Sequence, residues 1–292
     1  MVPQHLKKII QRIHDLPTLP RTILKISELV NNPKTSARDL AKVITDDQVL
    51  TARLLKLVNS SFYGFPQKIS TVTAAIVLLG FDAIRNLLLT TSVFDLFSSK
   101  YRENKQLQES FWDHSLGCAI GAKVIGGFLR NEQIEELFVA GLLHDIGKIV
   151  ELMFMPQEFQ SALQKTRTEP LVIYQAEEQV LGFTHTEVGQ LLAEKWNLPP
   201  KLITIISEHH HPDKNGRYFQ ETAIIHIADI FCRALGLGSG GDERMPPLDA
   251  DAWAQFQFSS QVIDHMLQEI DNAFHDISWV MNATNPKGSS RR

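Results

Sequence analysis

Cysteine is scarce: among 292 residues only Cys118 and Cys232 are cysteines, and both lie in apolar helical patterns. That excludes a disulfide scaffold and implies two buried free thiols in a reducing compartment. Long apolar runs are also missing. The most apolar windows, Thr71 to Phe81 and Leu87 to Leu96, are separated by Asp82 and Arg85 and fall short of the roughly 20 residues a membrane span needs. The opening stretch through Asp15 is amphipathic and lacks the apolar core of a signal peptide. A cytoplasmic chain with no membrane partner is therefore expected. Excess basic charge is absent too: the formal net charge is -4, which argues against nucleic acid as a partner. No glycine-rich phosphate loop and no arginine cluster accompanies the histidines described below. Sustained two-residue alternation bounded by hairpin turns is lacking as well, which leaves little room for strands.

What is present is an ordinary globular composition, 43% hydrophobic and 21% charged, carried on a helical period. Thr22 to Val30 places Ile23, Ile26, Leu29 and Val30 three and four residues apart after Pro20. Ser36 with Asp39 reads as a capping box opening a helix through Ile44, and Asp46 starts another through Val58. Asn59 to Pro66 is a turn-rich break with Phe62, Tyr63 and Phe65, and helices resume from Thr71 to about Leu96. Charged and polar residues between Ser98 and Glu109 read as a linker. A second lobe begins at Phe111 and runs in patterned helices to about Leu235. Gly236 to Pro247 is a glycine-rich break, Ser259 to Met281 an amphipathic helix, and Asn285 to Arg292 a frayed tail. The fold expected is all-α and two-lobed, with lobes at about 5–100 and 108–237, and residues 238–292 appended.

Histidines and aspartates spread over several of these helices carry the chemistry: His114, His144, Asp145, His185, His209, His210 and Asp229. Any one histidine is more often a surface or hydrogen-bonded residue, and His5, His14, His265 and His275 take that plain reading. The His144–Asp145 pair differs, because aliphatic residues enclose it from Leu142 to Ile149. An aspartate there is costly to bury unless something compensates it. A divalent cation would do so, bound by imidazole nitrogen and carboxylate oxygen together. Adjacent residues on a helix point about 100° apart, so one ion reaches both only from a notch shared with neighbouring helices. Gly141 and Gly147 flank the pair and would admit them. Lys148, one turn after His144, is suited to hold a phosphate beside a metal, although alone it would read as a surface lysine. His209, His210 and His211 end a helix ahead of Pro212, where imidazolium also suits the helix dipole. Asp229 lies amid apolar residues with His226 on the same face, so a local His–Asp hydrogen bond competes with metal ligation.

In order and rough spacing these residues resemble the HD superfamily pattern of a histidine, an adjacent His-Asp pair, further histidines and a distant aspartate. The resemblance implies a mononuclear set of His114, His144, Asp145 and Asp229. His185, His209 and His210 would hold a second ion, bridged by Asp145. The N-terminal half narrows it: Leu16-Pro-Thr-Leu-Pro20, Ile44-Thr-Asp-Asp-Gln48, Asn59 to Gly64 and Ala74 to Gly80 are similar to the signature segments of HDOD domains, over roughly residues 5 to 237. That family implies a bacterial regulatory module whose partners are signalling proteins such as histidine kinases or response regulators. It implies one or two divalent transition-metal ions, with iron or manganese favoured over zinc. Retained ligands leave a second reading, hydrolysis of a nucleotide or other phosphoester with Asp145 and Lys148 as catalytic residues, and a third, metal-dependent sensing. The chain departs from the HD-GYP phosphodiesterases: His211 to Phe219 carries no Gly-Tyr-Pro signature.

Overall fold

The computed structural model describes residues 20–60, 63–98 and 105–282, and among these there are helices but no strand. They form two compact units. The smaller comprises Leu19–Leu96 with Gln268–Arg292, and the larger Phe97–Leu267, in each case over their described residues.

In the smaller unit, α1 (Arg21–Asn31), α2 (Ala37–Thr45), α3 (Gln48–Val58), α4 (Val72–Leu79) and α5 (Phe81–Ser98) follow in order. The expected capping box opens α2: the Ser36 side chain accepts from the Asp39 amide while Asp39 accepts from the Ser36 amide at 2.9 Å. Asp47, rather than Asp46, caps α3 by accepting from the Val49 and Leu50 amides. Ile26, Leu40, Ile44, Leu54, Ile76 and Ile84 form the core at no more than 1% exposure. The turn after α3 is pinned by Asn59, which donates to Leu55 and Ile69 carbonyls and accepts from the Ile69 amide. Tyr63 and Phe65 stack there, with ring centroids 6.2 Å apart, while Phe62 lies outside the described residues. Gly80, at φ +85°, separates α4 from α5 in a conformation that favours glycine.

The larger unit contains α6 (Lys105–Phe128), α7 (Ile134–Leu143), α8 (Ile146–Phe154), α9 (Pro156–Thr168), α10 (Ile173–Leu181), α11 (His185–Lys195), α12 (Pro200–Glu208), α13 (Phe219–Ala234), α14 (Ala250–Ala254) and the start of α15 (Ser260–Asn282). The linker expected from Ser98 to Glu109 is partly helix, since α6 begins at Lys105. Its first turn holds a Lys105–Glu109 ion pair of 3.1 Å, an i,i+4 pairing that suits a helix. The glycine-rich segment is stitched into the larger unit: the Ser239 amide donates to the Ser110 carbonyl at 3.0 Å. Asp242 accepts from the Ile173 amide and from Arg233. Gly238, at φ +67°, lies so close to the backbone of Ser110 and His114 that a Cβ would collide with it. The residues assigned above to a frayed tail, and those of the amphipathic opening stretch, lie outside the described residues.

Two glycines bring the functional helices together. A Cβ on Gly141 would lie 2.7 Å from the Ala119 Cα, so α6 and α7 touch at backbone distance. A Cβ on Gly147 would overlap the His185 carbonyl, so α8 and the start of α11 do likewise. These are the glycines that flank the His-Asp pair.

Candidate metal centre

His144 and Asp145 do not share a helix. His144 is the C-cap of α7 and Asp145 the N-cap of α8, which corrects the expectation of one continuous helix. The break solves the geometric problem of adjacent residues, because the chain turns between them and both side chains reach the same place. Around them converge His114 from α6, His185 at the first position of α11, His209 and His210 at the end of α12, and Asp229 from α13. All seven are at most 6% exposed. Their ligand-type atoms fall into two groups, each within 4.8 Å: His114, His144 and Asp229 in one, Asp145, His185, His209 and His210 in the other.

Asp145 lies between the groups. Its Oδ2 is 3.3 Å from His144 Nε2 and 3.5 Å from His114 Nε2, whereas its Oδ1 is 3.2 Å from His185 Nε2 and 3.7 Å from His209 Nε2. His114 Nε2 is also 3.1 Å from Asp229 Oδ1, and the Nε2 atoms of His185 and His210 are 3.1 Å apart.

The other face of each ring sets its tautomer. His144 Nδ1 lies 2.6 Å from the Gly141 carbonyl, and His209 Nδ1 lies 3.0 Å from the Ile206 carbonyl. A carbonyl only accepts, so in both rings Nδ1 carries the proton and Nε2 presents a lone pair to the cluster. Those Nε2 atoms, with His114 Nε2 and Asp145 Oδ1, are buried and have no hydrogen-bond partner in the protein. Unpartnered buried acceptors of this kind are what a cation satisfies.

Charge points the same way. Burial alone would push Asp145 and Asp229 up. His144 and Lys148 outweigh it at Asp145, and Arg233 and His114 at Asp229, holding both well below the usual carboxylate range. Burial, reinforced by neighbouring histidines, holds His209 and His210 well below the ordinary imidazole value, and burial lowers His114 against the pull of Asp229. Neutral imidazoles beside ionised carboxylates form a donor set suited to a divalent transition metal.

Two supporting groups stand outside the residues singled out above. Glu177 of α10, fully buried, accepts from both the His185 amide at 2.9 Å and His185 Nδ1 at 2.6 Å. It opposes the effect of burial and raises the His185 pKa. Beside it, Glu151 is fully buried with neither carboxyl oxygen hydrogen-bonded, and burial and the Glu177 charge push it well above the usual range. On the other side Arg233 donates to Asp229 and Asp242, both at 3.1 Å. A sequence signal existed for both. Ile173, Glu177 and Leu181 share one buried stripe at four-residue spacing, and Arg233 follows Asp229 by one turn.

Lys148 is fully buried, and its Nζ donates to Asp145 Oδ2 at 2.6 Å. His226 does not pair with Asp229. Its Nδ1 donates to the His209 carbonyl at 2.8 Å and its Nε2 accepts from the Asp249 amide at 2.9 Å, so it braces the α12 terminus. His211 is exposed, edge-on to Tyr174. His265 stands edge-on to Phe128, His275 lies on the surface near Asp271, and His5 and His14 fall outside the described residues.

An all-helical unit with a buried His/Asp cluster drawn from six helices defines the class of protein. The particular family follows from comparison: the HDOD domain model matches residues 16–212, and the chain belongs to that family. It is 29% identical to an HDOD domain protein of unknown function from Geobacter sulfurreducens, covering 97% of this chain and 96% of that one with a TM-score of 0.73. A protein of Shewanella amazonensis SB2B, described provisionally as a phosphohydrolase, shares the fold at 22% identity and a TM-score of 0.66, covering 94% and 92%. An uncharacterised protein of Treponema pallidum (strain Nichols) is 30% identical over 78% of this chain. The match spans only 44% of that relative's length.

Proposed function

We propose that the chain is a cytoplasmic signal-transduction module built around a centre for one or two divalent transition-metal ions. The observation that carries this is Asp145: its two carboxylate oxygens face two separate groups of buried ligand atoms. His114, His144 and Asp229 would hold one ion and His185, His209 and His210 the other, with Asp145 shared. Mixed imidazole and carboxylate ligation favours iron or manganese, with zinc also compatible. Burial of the whole set and the Lys148 contact on Asp145 favour a centre that stabilises a regulatory fold. Its partners would be signalling proteins such as histidine kinases or response regulators.

A second reading, a phosphohydrolase acting on a nucleotide or other phosphoester, draws support from the complete set of buried ligands, beside which a cavity of about 420 Å³ reaches His210. When bound, the ions would supply Lewis acidity and an activated water. Asp145 would orient the centre, and Lys148, displaced from it, would offset charge on the phosphate. The provisional description of the Shewanella relative agrees with this reading.

Elemental analysis of protein produced with iron and manganese in the medium decides first. One or two ions per chain are expected, lost in His144→Ala and Asp145→Ala, and a metal-free protein would remove both readings. A screen of phosphodiesters and nucleotides then separates them. Turnover abolished by Asp145→Ala, with helicity retained by circular dichroism, selects the enzyme; inactivity throughout selects the module.

A further inference from the structure

The cavity beside the centre has a chemical character of its own. One wall is α10, with Tyr174, Gln175, Glu178 and Gln179, and another is the end of α12, with Ser207 and His210. Its volume lies in the range that small-molecule sites occupy. None of its ten lining residues is a lysine or arginine, and Glu178 is its one carboxylate. A phosphate placed there would meet a like charge and neither a lysine nor an arginine. Apart from His210 and His211, the remaining polar side chains are amides and hydroxyls. Gln175 gives its side-chain oxygen to the Val172 amide at 3.2 Å, which leaves its N–H donors for a ligand. Tyr174 supplies a flat wall, its ring tilted 31° over His210 at 4.6 Å and edge-on to His211 at 5.4 Å. Behind it His210, 6% exposed, has an Nδ1 with no hydrogen-bond partner in the protein.

We propose that this cavity binds an uncharged heteroaromatic ring of the nucleobase kind, stacked on Tyr174 and presenting N–H donors to Glu178. Aromatic wall, neutral amides and a lone carboxylate match such a ring and reject an anion. The proposal rests on the metal-centre reading only in that His210 belongs to both sites, since ring binding itself requires no metal.

Calorimetric titration of the full chain, metal-free and metal-loaded, with adenosine, guanosine, cytidine and uridine tests it, with inorganic phosphate as the control. At least one nucleoside should bind saturably to both forms. Tyr174→Ala should weaken that binding about fivefold to 150-fold, the range for losing one base–aromatic stack. Glu178→Gln should weaken it too, with the fold of both variants checked by circular dichroism. Absence of nucleoside binding, binding indifferent to both variants, or displacement by phosphate from the metal-free protein would each overturn the proposal. Nucleoside binding by a chain that takes up no metal would support it while removing the metal-centre reading. Metal uptake without nucleoside binding would remove this proposal alone.

Discussion

Glu177→Gln tests the support behind the second ligand group. Glu177 holds His185 twice, through the backbone amide and through Nδ1. Glutamine keeps the size and one acceptor oxygen but removes the charge. Hydrogen bonds to a charged group contribute about 1.5–3 kcal/mol and neutral ones about 0.5–1.5 kcal/mol, so the grip on His185 loosens by about 1–2 kcal/mol. Loss of a supporting partner behind a metal ligand typically lowers affinity about 10–100-fold, or about 1.4–2.7 kcal/mol, so the two scales agree. The effect should fall on the ion held by His185, His209 and His210. The ion held by His114, His144 and Asp229 keeps its ligands and their supports. Titration of metal-free protein with cobalt(II), followed by the visible bands of the bound ion, resolves the two, and a thermal melt controls for the fold. Two sites are expected in the parent chain, with one weakened about 10–100-fold in the variant. A second site of unchanged affinity, or equal weakening of both, refutes the reasoning.

Further expectations concern the scaffold. Gly147→Ala drives a methyl group into the His185 carbonyl; about 2–3 kcal/mol of destabilisation should lower Tm by about 5–10 °C, and an unchanged Tm would contradict the close approach of α8 and α11. Arg233→Ala leaves Asp229 and Asp242, 2% and 1% exposed, as buried carboxylates without their cation. Chemical denaturation should show a loss of about 3–5 kcal/mol, and a loss below 1 kcal/mol would contradict that role. Metal-free protein should lose stability as pH falls below about 6.5. His114, His209, His210 and His226 have lowered folded-state values, so the unfolded chain takes up protons first. Raised His185, Asp113, Glu208 and Glu151 act in the opposite sense, favouring the fold at low pH, so the expected sign rests on His209 and His210, which burial and neighbouring histidines hold well below the ordinary imidazole value. Melts at pH 7.5 and 5.5 should differ by more than about 5 °C, and a higher Tm at pH 5.5 would reverse the assignment.

The seven clustered residues were legible in the sequence because each puts a histidine or a carboxylate where the helical period calls for an apolar side chain. Their chain order separated them from the histidines that lie apart. Less legible was the helix break at His144–Asp145. The run from Leu142 to Ile149 is aliphatic enough to read as one helix, and Asp145, a residue suited to an N-cap, is its signal of a break. Glu177 and Glu151 went unmarked because nothing adjacent in sequence distinguishes them; only the folded chain puts Glu177 on His185 and Glu151 beside Glu177. The glycine-rich segment misled for a related reason: Gly236 to Gly241 signals a break, while the bond that fastens it joins Arg233 to Asp242 across the loop.

Because the ligands run from His114 to Asp229, the centre joins stretches of chain more than a hundred residues apart. Such distant contacts form late, after the loop-closure entropy between them has been overcome. A bound ion would therefore register that all six contributing helices have arrived. Its release would be gated by opening of the larger unit, so that ion exchange reports the cooperative breathing of the fold more than the strength of any one ligand.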